Sequence, residues 1–192
     1  MPFIQKTIYS DWLIDYLNYG AELRGILINS VAEMEEEMDN YIAKHFCYNS
    51  KRRTELREII ISTKHLTFQA KADIYKSLLV RRKDLTIKEA NQLYDKMVNK
   101  IAADRNIIAH AILDTSHTAL NRFHADKRTV TFIKFSNGKH PTVYDNERML
   151  ALLDLIHSVK SLPLLIKSEK HIKKLVKNGR RTSRKASVKK PN

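Results

Sequence analysis

Residues Thr86–His110 read TIKEANQLYDKMVNKIAADRNIIAH. The opening Thr86-Ile87-Lys88-Glu89 carries a hydroxyl and, three residues on, a carboxylate; the two satisfy orphan backbone amides reciprocally and so start a helix. Behind them Ala90, Leu93, Tyr94, Met97, Val98 and Ile101 recur every three or four residues, the apolar stripe of an amphipathic helix, which extends through Ile108 and Ile112. Arg105 falls on that stripe. A guanidinium facing a core is costly unless a carboxylate, phosphate or carbonyl meets it, so it is half of an internal ion pair or part of a site. Asn106 and His110 lie four apart and share a face, where the amide can orient the imidazole. Five residues at about 100° each leave Arg105 and His110 about 140° apart around the axis, so one helix does not easily aim both at one phosphate. A second copy across a two-fold axis brings both faces together, which points to a composite site in a symmetric dimer.

Working outward, four glycines and four prolines in 192 residues favour long helices over a many-turned β architecture, and 43% apolar residues suffice for one core. Upstream, residues 11 to about 48 form one long helix, with Trp12, Tyr16, Tyr19, Leu23, Ile26, Met34, Met38, Tyr41 and His45 spaced mostly by three and four. Gly20 and Gly25 weaken it or allow close packing. Glu33, Glu35, Glu36, Glu37 and Asp39 make an acidic patch, read as a solvated face, although one of these carboxylates can still reach Arg105 or His110. Leu56, Ile59 and Ile60, then Phe68, Ala72, Tyr75, Leu78 and Leu79, predict a second helical element broken near residues 65–67 and closed by Arg81, Arg82 and Lys83 at its negative end.

Downstream of Ala111 the pattern degrades. Asp114 reaches His110 only if the helix persists, and Asp-Thr-Ser favours an ending there. Thr129–Phe135 is rich in β-branched and aromatic residues, and Asn137-Gly138 is a turn signal before Pro141–Tyr144, so a small β-hairpin is expected near 129–144. Asp145 should cap a final helix carrying Met149, Leu152, Leu153, Ile156 and Val159, which Pro163 should end. The expected fold is all-α: an up-and-down helical bundle with a long N-terminal helix, the hairpin insertion and a basic C-terminal tail.

Arg105-Asn106-x-x-x-His110 on a helix resembles the signature of the HEPN superfamily, small all-helical proteins that include toxins, abortive-infection proteins and ribonuclease modules of defence systems. The resemblance covers roughly residues 10 to 162 and implies a HEPN-like domain over 1–166, followed by a basic, flexible tail over 167–192. It implies metal-independent RNA cleavage, with paired motifs meeting at a dimer interface, although other members bind nucleotides or RNA without cutting.

The formal charge of +14 is uneven: residues 167–192 hold eleven Lys and Arg against Glu169 alone, so +10 of it lies there. Lys173, Lys174, Arg180, Arg181, Arg184 and Lys185 are candidate RNA contacts, with affinity that should fall steeply with salt. A solvated tail without a fixed partner explains the same composition, and His171, Ile172, Leu175 and Val176 can form a short amphipathic turn before fraying at Asn178-Gly179. Cys47 is the only cysteine, so no intrachain disulfide forms, and it reads as a small core residue rather than a nucleophile. No signal-peptide pattern and no apolar run of about 18 residues stand out, so a cytoplasmic protein without a membrane partner is expected. There is no Gly-rich phosphate loop, Cys-x-x-Cys or His-Glu-x-x-His, so no cofactor and no metal ligand are assigned.

The functional expectation is a metal-independent endoribonuclease, a toxin or phage-defence effector. A 2′-hydroxyl attacks the adjacent phosphate: His110 takes the proton, as an imidazole of ordinary pKa near 6.5 can. Arg105 grips phosphate oxygens, and Asn106 fixes the imidazole or touches substrate. The alternative is a non-catalytic RNA- or nucleotide-binding helical dimer; a neutralising partner of a toxin pair is a third, and a cognate antitoxin is an expected partner of the first. A purely structural reading also accounts for the motif: Arg105 pairs with an acid of the long helix, Asn106 bonds to backbone, and His110 is a satisfied core histidine.

Overall fold

The apolar positions at the start of the chain make one helix, α1 (Phe3–Phe46), which begins earlier than the periodicity from residue 11 predicts. Tyr16, Leu23, Leu27, Val31, Met34, Met38 and Ile42 are its buried line, while Ile26 of the expected stripe is exposed. A line spaced by threes and fours drifts around the axis, and Leu27 rather than Ile26 stays over the core. The computed structural model describes residues 3–62, 66–126, 129–135 and 139–186.

Asn49 caps α2 (Ser50–Leu56), accepting from the amides of Lys51 and Arg52, and α2 passes into a π-helical segment, Arg57–Ile61. Thr67 caps α3 (Phe68–Arg81), so the expected break is present at Thr67; His65 lies outside the described residues. The capping box at Thr86 and Glu89 opens α4 (Ile87–Asp95) as expected: the Thr86 amide donates to the Glu89 carboxylate at 2.8 Å. Backbone dihedrals stay helical from α4 through a second π-helical segment, Lys96–Ala102, into α5 (Ala103–His110).

The expected hairpin is part of a three-stranded antiparallel sheet in the order β1 (Ile112–Leu113), β2 (Val130–Phe135), β3 (Lys139–Tyr144). Val130 faces Tyr144, Ile133 faces both Pro141 and Ile112, and the Asn137-Gly138 turn lies outside the described residues. Residues 48–53, polar and basic, read as a connection but lie largely in α2, which buries none of its residues; β1, too short to show a period, and α6 (His117–Asp126), with little to bury besides Ala119, likewise had no signature in the sequence. Phe123 of α6 meets Tyr16 edge-on at 5.2 Å, and His124 stacks on Trp12 at 3.9 Å.

Asp145 caps α7 (Asn146–Ala186) by accepting from the Arg148 amide at 2.7 Å, and Met149, Leu152, Ile156 and Val159 are buried. Pro163 does not end α7, nor does it fray at Asn178-Gly179. Proline's fixed φ is itself helical; inside a helix it removes one backbone bond and crowds the carbonyl four residues back, a cost of about 3 kcal/mol that weighs against continuation without forbidding it. The chain divides into two compact units, Met1–Lys160 and Ser161–Asn192. Asn146–Ile166 is, at 21 residues, long and apolar enough to cross a membrane by length and composition. Asp154, His157 and Lys160 interrupt its apolar run; Met149, Leu152, Ile156 and Val159 form one buried stripe along it, and Leu150, Leu164 and Leu165 are exposed. The architecture is thus an all-α bundle with a long N-terminal helix and a small β insertion.

Candidate functional site

At the end of the motif helix the structure moves the core line by one residue. Met97, Ile101, Asp104, Ile108 and Ala111 are buried, whereas Arg105, Asn106 and His110 are exposed. Extending the stripe to Ile112 put Arg105 on it; but α5 stops at His110, Ala111 turns extended, and Ile112 belongs to β1. Without that anchor the line steps through 101, 104 and 108, with Asp104 as its polar member. Asp104 is only 9% exposed, and its carboxylate accepts from the Tyr144 hydroxyl at 2.9 Å and from Arg148 Nη2 at 3.1 Å. Arg148 also donates to the Val143 carbonyl and lies 4.2 Å over the Tyr144 ring. Burial, then the Asp104 carboxylate, push the Tyr144 hydroxyl pKa up, so it stays a donor. This clamp ties α5 to β3 and to the first turn of α7, and nothing in the local sequence pattern announces it.

The carboxylates of α1 do not go to Arg105. Lys71 of α3 enters between them, donating to Glu35 at 2.7 Å and to Asp39 at 2.9 Å, with the Lys71 and Asp39 side chains 4% and 5% exposed. The patch is therefore a solvated face only in part: Glu36 meets Arg57, Glu33 meets Lys160, and Asp39 is buried. Burial holds the Asp39 carboxyl above its usual range, partly offset by Lys71, since one ammonium serves two carboxylates. The two acids outweigh burial at Lys71 and raise its pKa. The one signal in the sequence for this pairing is a lysine between two alanines in the first turn of α3.

The structural reading of the motif loses its parts one by one. Arg105 Nη1 donates to Asn106 Oδ1 at 3.0 Å, so the carboxamide engages the guanidinium, not the imidazole it was expected to orient. His110 is an exposed residue with no hydrogen-bond partner among the described residues. Asp114 instead accepts from the Ser116 amide, because the helix ends before it can stack on His110.

Arg105 and Asn106 form one wall of a cleft of about 870 Å³. Val31 of α1, Val98 of the π-helical segment and Phe68 of α3 supply apolar surface, and Glu35, Lys71 and Gln69 stand among them. Ala102 and Ala103 beside the motif are small, which leaves the space open. π-Helical turns often mark functional positions, and this one ends at Ala102, three residues before Arg105. His110 is not among the residues lining the cleft. Near it, Arg24 Nη2 donates to the Ala111 carbonyl at 2.9 Å and the Arg24 guanidinium lies 5.4 Å from the Phe132 ring centre.

The structure thus pairs Arg105 with Asn106 and leaves His110 on another flank of the same helix end. Side chains of Lys173, Lys174, Arg180, Arg181, Arg184 and Lys185 lie outside the described residues; their backbone belongs to α7. Among the described residues no three of His, Cys, Asp and Glu gather to hold a metal ion. No protein-family model, curated protein or solved structure matches the chain. Its chemistry is read from its own residues.

Proposed function

We propose that the chain is a metal-independent endoribonuclease of HEPN type, acting as a cytoplasmic homodimer in which Arg105 and His110 of two copies form one site. The observation that carries this reading is the joint exposure of Arg105, Asn106 and His110 at the end of α5, with no acid pairing Arg105 among the described residues. A buried structural network would have consumed these groups; here the buried carboxylates Asp39 and Asp104 are met by Lys71 and by Arg148. Arg105 with Asn106 on one flank and His110 on another, all unburied, fit a site completed by a second copy.

In the composite site Arg105 grips the non-bridging oxygens of an RNA phosphate and keeps its charge throughout. His110 accepts the proton of the adjacent 2′-hydroxyl as its oxygen attacks phosphorus. The guanidinium steadies the charge that grows on the phosphorane, and the 5′-oxygen leaves as a hydroxyl, taking its proton from water. Products carry a 2′,3′-cyclic phosphate or its hydrolysed form. Asn106, bonded to Arg105, presets the guanidinium for substrate. Roles as a toxin or phage-defence effector and restraint by a cognate antitoxin follow from the resemblance.

Purified wild type and His110→Ala are incubated with mixed RNA in excess chelator, and product ends are read. Cleavage by wild type alone, with cyclic-phosphate ends, is expected, with a loss of at least about 100-fold in the variant. A strict magnesium requirement, or equal cleavage by both proteins, ends this mechanism. The second reading, an RNA- or nucleotide-binding helical dimer without cleavage, is favoured by the size of the cleft beside Arg105, which falls in the range of about 300–1,000 Å³ typical of small-ligand pockets. Binding without cleavage by folded wild type selects it.

A further inference from the structure

The cleft beside Arg105 has more chemistry than a phosphate needs. A phosphate wants cations and amide donors, whereas Val31, Val98 and half-buried Phe68 give this cleft an apolar body. Among its polar groups, which include the Ser62 and Thr67 hydroxyls and the Asn106 amide, Glu35 and Gln69 offer acceptors. Glu35 gives one carboxylate oxygen, Oε1, to Lys71, and the other has no partner among the described residues. Gln69 donates through Nε2 to the Tyr94 hydroxyl at 3.3 Å, which leaves its carbonyl oxygen as the end for a ligand. Lys71 is held between Glu35 and Asp39, so it fixes the carboxylate rather than competing for an incoming anion. At the rim stand Arg105 and the N-terminal turn of α3, whose first amides add positive potential where a phosphate would sit.

Aromatic and apolar walls, an acceptor edge and a cationic rim together describe a nucleotide, not a bare phosphate. We infer that this cleft takes one unpaired RNA base bearing an exocyclic amino group, its face on Phe68, its amino edge on Glu35 and Gln69, and its neighbouring phosphate on Arg105. Guanine, adenine and cytosine each present an amino donor on the pairing edge. Uracil offers one N–H flanked by two carbonyls, which would face the Glu35 carboxylate and be repelled. The base must be unpaired, since a duplex hides the edge and the face the cleft would contact. The inference rests on the reading that RNA is what Arg105 meets, and it adds a base preference to that site.

The test is equilibrium binding of the full chain to short labelled uridine oligomers carrying one central A, C, G or U. 2′-O-methyl groups on every nucleotide of the probe remove the attacking hydroxyls, so binding is read apart from cleavage. Salt is kept high enough to suppress the tail's base-independent attraction. Wild type should bind the A, C and G probes about tenfold more tightly than the U probe. Glu35→Gln, which leaves the Lys71–Asp39 pair in place, should erase most of that ratio. Phe68→Ala should weaken all four probes by roughly fivefold or more, and Phe68→Tyr should restore them. The ratio among probes is internal to each protein, so partial unfolding scales all four alike and cannot mimic its loss. Equal binding of the four probes by wild type, or an unchanged ratio in Glu35→Gln, overturns the inference. Base discrimination with no cleavage of unmethylated RNA keeps the pocket and ends the ribonuclease reading; His110-dependent cleavage without discrimination does the reverse.

Discussion

The two glycines of α1 look alike in sequence and differ in what surrounds them. A Cβ on Gly20 would stand 2.8 Å from Leu113 Cδ2 and 2.9 Å from Cδ1, so the helix meets β1 through the missing side chain. Around Gly25 nothing lies within 4 Å of such an atom. Gly25→Ala should therefore stabilise the fold by about 0.5–1 kcal/mol, the usual gain of removing a mid-helix glycine. Gly20→Ala has the same intrinsic gain but must push the Leu113 methyls aside, so it should stabilise the fold less than Gly25→Ala. Urea unfolding of the two variants checks this; equal shifts in both would mean that the approach to β1 carries no cost. Arg105 and Asp104 differ in the same way one residue apart. A shift of about 100° on the helix separates an exposed guanidinium from a buried carboxylate. Periodicity drawn through Ile112 could not place that boundary, because the end of the helix at His110 is not written in the spacing.

Between elements, the decisive tie is the one ammonium of α3 held by two carboxylates of α1. Lys71→Met should cost about 3–5 kcal/mol near neutral pH, because it leaves Asp39 buried without its counter-ion. The pH dependence has a sign on each side. Lys71 has a folded pKa raised above its ordinary 10.5, so its contribution is fully present below that value and lost as pH climbs through the raised one. Asp39 also has a raised pKa, here from burial, so the cost of keeping it ionised disappears as pH falls and the carboxyl takes up a proton. The deficit of the variant should be widest in the middle range and narrow towards both extremes. Thermal unfolding across pH measures it, and a deficit independent of pH would mean that the substitution acts through packing rather than charge. At the motif helix the element-level device is the π-helical turn before α5, followed by the Asp104, Tyr144 and Arg148 clamp. Together they fix the helix end from which Arg105 and His110 project.

At the scale of the whole molecule, charge and fold are separable. Most of the +14 lies in residues 167–192. Removing them should lower RNA affinity and flatten its salt dependence, by about 0.7 in log–log slope for each phosphate of a single strand that is no longer neutralised. Cleavage of saturating RNA by residues 1–166 should persist, because Arg105, Asn106 and His110 remain; its disappearance in a folded truncation would place the tail inside the catalytic machinery. What the sequence by itself determined was whatever depends on near neighbours along the chain. The long α1 followed from apolar spacing, the starts of α4 and α7 from their capping groups, and the β2–β3 hairpin from β-branched residues. The helix spacing and the caps act across three or four residues and the hairpin pairs residues 4 to 14 apart, so their signals are written locally. Only the tertiary structure decided which polar groups were consumed. Asp39 found Lys71, Asp104 found Tyr144 and Arg148, Asn106 turned to Arg105, and His110 was left exposed. Apart from the Asn106–Arg105 bond, those outcomes depend on partners 32 to 44 residues away or on where a helix stops. Where both partners are buried, as at Lys71 and Asp39, losing one costs several kcal/mol, and whether the fold brings such partners within reach is not written in the spacing of near neighbours.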